Sequence, residues 1–143
     1  MDNLYTELIM SHNRSGHNKH VLEHASHIER GHNPNCGDDL TLQVELDEAG
    51  ETIKDAAFLG SGCAISQASM SIMIDLVKGK PVAEANHLAE IYLNMVRGVK
   101  LTDTQMEELE DAVAFEGLSK MPARVKCGTL GWHCLDVILA KKL

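Results

Sequence analysis

Aromatic side chains are scarce. The 143 residues hold one Trp, two Tyr and two Phe, 3% of the chain. A surface that stacks nucleic-acid bases needs more rings than this. No apolar run approaches the roughly 18 residues that span a bilayer, so no membrane partner is expected. Basic clusters are also missing: 13 Lys and Arg face 21 Asp and Glu, a net charge of −8. Such a chain repels phosphate backbones and anionic lipid, which excludes nucleic-acid binding as an expectation. The opening MDNLYTELIMSHNRSG has neither the basic start nor the apolar stretch of a secretory leader. A cytoplasmic, reducing location follows. CxxC, HExxH and regular zinc-finger spacing are absent as well.

What is present fits one domain over residues 1–143. Leu4, Tyr5, Leu8 and Ile9 recur at helical spacing, with Asp2 placed to cap. Residues 12–32 hold six of the eight His, read as a loop leading to a short strand near His27–Arg30. Residues 40–46 alternate apolar and polar, the mark of a half-buried strand. Asp47-Glu48-Ala49-Gly50 supplies a turn, and 52–59 runs back as a second hairpin arm. From Ile65 the period becomes helical as far as Gly79. A second helix follows from Pro81 to Gly98, and a third over Thr102–Phe115 with Thr102 and Gln105 as a capping box. A last helix runs from about Cys127 to Lys142, with Lys141 and Lys142 at its negative end. Strands followed by helices imply an α+β fold: a small antiparallel sheet of about three strands with helices on one face.

Four cysteines in a reducing compartment point to metal ligands or reactive thiols. Three of them sit at junctions between elements: Asn33-Pro34-Asn35-Cys36-Gly37-Asp38, Gly60-Ser61-Gly62-Cys63 and Arg124-Val125-Lys126-Cys127. Zinc takes four N, S or O ligands in a tetrahedron. Cys36, Asp38, Cys63 and Cys127 supply that number, and Arg124 and Lys126 offset the resulting negative charge. Cys63 and Cys127 each lead a predicted helix, whose dipole favours thiolate. Spacing alone leaves open the alternative of three thiols buried separately.

The blocks NPNCGD, GSGCAISQASMSIM and PARVKCGTLGWH resemble the IscU/NifU-like iron–sulfur cluster assembly family, over about residues 3–142. Two features resemble its SufU branch. The residue before the third Cys is Lys126 where IscU-type scaffolds carry His. A helical segment, Thr102–Gly117, lies between Cys63 and Cys127. The chaperone-recognition motif LPPVK is replaced by Met121-Pro122-Ala123-Arg124-Val125-Lys126. The resemblance implies a zinc-dependent sulfurtransferase with Cys36, Asp38, Cys63 and Cys127 as zinc ligands. Cys36 matches the residue that accepts persulfide sulfur from a SufS-type cysteine desulfurase. That sulfur passes toward cluster assembly on a SufBCD-type complex. The alternative is an IscU-like scaffold on which a transient [2Fe–2S] cluster assembles on the same residues.

Other features read as structure. His20, His24 and His27 share spacing that would be one helical face, but their segment is loop-like and expected to be solvated. Cys134 is expected to be a buried thiol, and Met70, Met73, Met95 and Met106 core filler. The acidic stretch Glu107–Asp111 reads as a solvated helix face. Nothing in the sequence demands more than a monomer.

Overall fold

Alternation through Leu40, Leu42 and Val44 places three branched side chains on one face of a strand, and all three are fully buried. The computed structural model describes residues 3–34 and 37–142, with side chains described from residue 6 to residue 140. Asp2 and Cys36 lie outside the described residues, as do the Lys141 and Lys142 side chains. The order is α1 (Asn3–Ser15), β1 (His27–Asn33), β2 (Asp38–Leu46), β3 (Ile53–Ser61), α2 (Ala64–Val77), α3 (Val82–Val96), α4 (Asp103–Leu109), a 3₁₀ helix (Glu110–Lys120) and α5 (Pro122–Lys142). The strands form one antiparallel sheet in the order β1-β2-β3. The expected α+β fold, a three-stranded antiparallel sheet with helices, is what forms.

The β2–β3 turn is fixed by Asp47, whose Oδ1 accepts the Glu51 N–H at 2.8 Å while its carbonyl accepts the Gly50 N–H at 2.9 Å. α2 packs on β3, and α5 packs on β1 and β2. Between them lies a core of Leu40, Leu42, Phe58, Met70, Met73 and Trp132. Trp132 stacks on Tyr92 with centroids 4.3 Å apart, and Phe115 meets Tyr92 edge-on. The few aromatic rings are thus concentrated where α3, α5 and the 3₁₀ helix meet.

Two elements differ from expectation. The helix read over Thr102–Phe115 has the capping box at Thr102 and Gln105, but its α-helical part ends at Leu109. Beyond it the buried residues are Leu109, Ala112, Phe115 and Leu118, spaced by three. Three residues per turn is the 3₁₀ period, so that winding keeps all four on one buried stripe. An α-helix at 3.6 would rotate the last of them away from the core. The second difference is α5, which starts at Pro122 rather than near Cys127. Proline suits the first helical turn because its missing N–H has no partner there. Cys127 therefore lies in the second turn, beyond the reach of the N-terminal dipole that favours thiolate.

The His-rich segment is a structural tie. Ser71 Oγ donates to the His17 carbonyl at 3.0 Å, so the His12 Nδ1–H donates to Ser71 Oγ at 2.6 Å. His17 Nε2 meets Asp75 at 2.8 Å. Asn18, 6% exposed, donates to the Ser71 carbonyl at 2.9 Å and to Asp75 at 3.0 Å. Its own carbonyl accepts the Phe58 N–H at 2.9 Å, closing the free edge of β3. Burial pushes the His12 pKa below its ordinary 6.5, against the pull of the Asp75 carboxylate. The unfolded chain thus takes up this proton at a higher pH than the folded one. The contribution of neutral His12 to stability is present above the ordinary value and is lost as pH falls through the folded value. Lowering the pH from about 7.5 to about 5.5 is therefore expected to lower the melting temperature. His12→Gln should flatten that dependence, read by thermal melting of both chains across the range.

Candidate metal centre

Three elements bring their ends to one point. Asp38 opens β2, Cys63 stands directly before α2, and Cys127 lies on α5. Ligand atoms of Asp38, Cys63 and Cys127 all lie within 4.8 Å of one another. Asp38 and Cys127 are fully buried and Cys63 is partly buried.

Asp38 is held by one oxygen. Its Oδ1 accepts the Cys63 N–H at 2.8 Å and lies 2.9 Å from the Ser66 hydroxyl. Its Oδ2 is buried and has no hydrogen-bond partner among the described residues. A buried carboxylate oxygen left in this state is costly, on the order of several kcal/mol for a charged group. Gly62 makes the approach possible, since a Cβ there would come within 2.7 Å of both Asp38 Oδ1 and Ser66 Oγ.

Cys63 caps α2. Its backbone is extended (φ −69°, ψ 165°) and its Sγ accepts the Ser66 N–H at 3.4 Å. A sulfur in that position faces the positive end of a 14-residue helix. Ser66, which the sequence reading passed over, serves both ligands. Its signal is its place three residues after the capping Cys, where a capping side chain accepts a backbone N–H.

Cys127 is placed by its neighbour. The Gly128 carbonyl accepts hydrogen bonds from Ser69 Oγ and from Tyr92 Oη, each at 2.7 Å. These bonds pin the second turn of α5 to α2 and α3. Arg124 and Lys126 are exposed on the same helix.

The donor set suits zinc. Two thiolates and a carboxylate are among its ordinary ligands, with bond lengths of about 2.3 Å to sulfur and about 2.0–2.2 Å to oxygen. Those lengths put tetrahedral ligand atoms roughly 3.3–3.8 Å apart, so a separation of at most 4.8 Å needs only a small inward adjustment. The orphaned Asp38 Oδ2 is the atom such an ion would satisfy. Among the described residues no other group of three or more His, Cys, Asp or Glu converges in this way.

Cys134 stays apart. It is 4% exposed, and a Cβ at Gly31 of β1 would sit 2.7 Å from its Sγ. Burial, with the Glu29 carboxylate nearby, pushes its thiol up to about 11. It is a packing residue, as expected. In the folded protein at about pH 8 it should resist alkylation by iodoacetamide and react only after denaturation, as peptide mass spectrometry can read.

No helix among the described residues is long and apolar enough to cross a membrane. The family model described as the NifU-like N terminal domain matches residues 4–128. The zinc-dependent sulfurtransferase SufU of Bacillus subtilis (strain 168) is 39% identical over 142 residues, covering 99% of this chain and 93% of that protein. The iron–sulfur cluster assembly scaffold protein IscU of Streptococcus pyogenes serotype M1 is 38% identical, covering 94% and 82%. A crystal structure from Fervidobacterium islandicum AW-1, described as an iron–sulfur cluster assembly scaffold protein for the SUF system, superposes with a TM-score of 0.86. It is 35% identical and covers 95% of this chain and 96% of that one.

Proposed function

Because this chain belongs to the NifU-like N-terminal domain family, and three of its metal-ligating side chains converge, we propose that it is a cytoplasmic zinc-dependent sulfurtransferase. It is one SufU-like domain over residues 1–143, drawing sulfur from a SufS-type cysteine desulfurase and feeding a SufBCD-type assembly complex. The observation that carries this reading is the Asp38 carboxylate, which converges with two cysteine sulfurs and whose buried Oδ2 has no partner among the described residues. Asp38, Cys63 and Cys127 hold the ion, with Cys36 as the fourth ligand. Bound zinc supplies a positive charge that keeps its thiol ligands deprotonated at neutral pH.

The chemistry belongs to Cys36. Its thiolate attacks the outer sulfur of the donor's persulfide. The sulfur–sulfur bond of the donor breaks, and the donor cysteine leaves as thiolate. Cys36 becomes the persulfide, with no net oxidation or reduction. Asp38, tied to the Cys63 N–H and Ser66, keeps its ligating oxygen in place throughout. Lys126, exposed before Cys127, cannot ligate while it carries its proton, which favours this reading over cluster scaffolding.

Alanine formation by the cognate desulfurase, with and without the zinc-loaded chain, tests the proposal. A stimulation of about tenfold or more is expected if sulfur leaves the desulfurase on this protein at every turnover. Absence of stimulation rejects it. The scaffold reading is favoured by the names of two relatives. It predicts instead that iron and sulfide reconstitute a [2Fe–2S] cluster on the chain, which then passes intact to an apo-ferredoxin.

A further inference from the structure

A buried donor and a buried acceptor stand on facing strands, each without a partner among the described residues. The donor is the Asn33 amide: the residue is 6% exposed and its Nδ2 is buried. The acceptor is Asp38 Oδ2. Asn33 and Asp38 are Cα partners, the last pair of the β1–β2 ladder. Directly opposed residues of an antiparallel pair point to the same face, with Cβ atoms about 4.5–5.5 Å apart. Here that face looks onto α5, since a Cβ at Gly31, two residues before Asn33, would come within 3.0 Å of Leu130 and Cys134.

The local sequence holds Asn33 in this place. Pro34 follows it, and a residue before proline is kept extended. The chain then reverses: the Pro34 carbonyl accepts the Gly37 N–H at 3.4 Å, with Gly37 at φ +70°. Asn33 and Asp38 therefore close the hairpin whose connecting residues, 34–37, include Cys36.

The carboxylate has room for one more bond than an ion needs. An ionised carboxyl offers about four lone-pair positions. Oδ1 has two donors, the Cys63 N–H at 2.8 Å and the Ser66 hydroxyl at 2.9 Å. Oδ2 keeps both of its own. One suits the ion of the proposed centre, and the other suits the unfilled amide of the facing residue. The χ2 torsion of Asn is soft, so Nδ2 can turn to it. Carboxylates that ligate metals are themselves hydrogen-bonded, which fixes their orientation.

We propose that Asn33 is a positioning residue of the metal centre, its Nδ2–H donating to Asp38 Oδ2 so that the remaining lone pair is aimed between Cys63 and Cys127. The inference rests on the metal-centre reading and adds the residue that orients its oxygen ligand.

The test is zinc affinity, by competition with a chromophoric chelator, in the parent full chain, Asn33→Leu, Asp38→Ala and the double variant. Asn33→Leu should weaken binding about tenfold in the parent background. In the Asp38→Ala background, which keeps the thiols but has no carboxylate to orient, it should cost less than about twofold. An equal loss in both backgrounds makes Asn33 a packing residue and overturns the proposal, as does unchanged affinity in Asn33→Leu. A parent chain that binds no zinc rejects the metal centre itself, and the proposal with it. Thermal melting checks that the variants fold. Where one does not, the ¹⁵N spectrum of the parent decides: an Asn33 side-chain amide proton should move downfield as zinc is added, and a signal that stays in place overturns the proposal.

Discussion

Cys36→Ala is expected to lower labelling of this chain by radioactive sulfur from the desulfurase at least about a hundredfold. The size of the effect follows from the other thiols. Cys127 is fully buried on α5. Cys63 is engaged as the cap of α2, with Ser66 N–H on its sulfur. The Cys134 thiol, raised to about 11, is almost entirely protonated at neutral pH. Thiolate is the attacking species, which disables Cys134. Burial keeps a docked donor from Cys127, and Cys63 is held by its cap and by the metal it is proposed to bind, so none of the three stands in. Mass spectrometry of the unreduced chain reads the result. Parent-level sulfur on the alanine variant would remove Cys36 from the mechanism, whichever metal is bound.

Gly60→Ala should lower stability by at least about 3 kcal/mol, with the melting temperature falling by about 10 °C for a chain of this size. Gly60 stands opposite Leu40 in the β2–β3 ladder with φ +111°, a region that L side chains rarely adopt. A Cβ there would overlap the carbonyl oxygen of Asp39. That atom is backbone in the middle of a three-stranded sheet, so no rotamer change relieves the clash. The damage also reaches the centre, because Asp38 and Cys63 lie together at the end of this strand pair nearest Gly60. Zinc content measured alongside the melt should fall well below one ion per chain. A variant that melts like the parent would show that β3 bends freely at this point.

Much of the site was legible before the fold. Of the four residues expected at the centre, Asp38, Cys63 and Cys127 converge. Cys36 lies outside the described residues, and Cys127 sits in the second turn of α5 and not at an element junction. The two glycines before Cys63, Gly60 and Gly62, marked where backbone and side chain crowd. Two things were not legible. One is the extent of β1: the strand expected near His27–Arg30 runs on to Asn33, burying Gly31 and Asn33 while leaving Ile28 58% exposed, so its burial runs against its hydropathy. It is a strand because α5 lies on its glycine, a tertiary fact that no alternation records. The 3₁₀ helix was hidden because residues 103–118 also satisfy a looser helical period. Only the spacing of three in Leu109, Ala112, Phe115 and Leu118 separates the two. The tie made by His12 and His17 was hidden as well, because their partners Ser71 and Asp75 are more than fifty positions away.

The two glycines inside α5 bear on how this protein can change over evolutionary time. A Cβ at Gly128 would run into Leu118, and one at Gly131 would sit 3.1 Å from Met70 Cβ. Leu118 and Met70 are fully buried. Helix α5 therefore has a tolerant side, at Val137 and Ala140, and an intolerant one, where even a single methyl must displace a neighbour in the core. Cys127 is the residue next to Gly128 and moves with it. Drift at these two positions is coupled to the depth of a ligand and hence to function, while drift on the opposite side is not. A saturation library at 128 and 131, sorted for zinc retention, should return glycine at both.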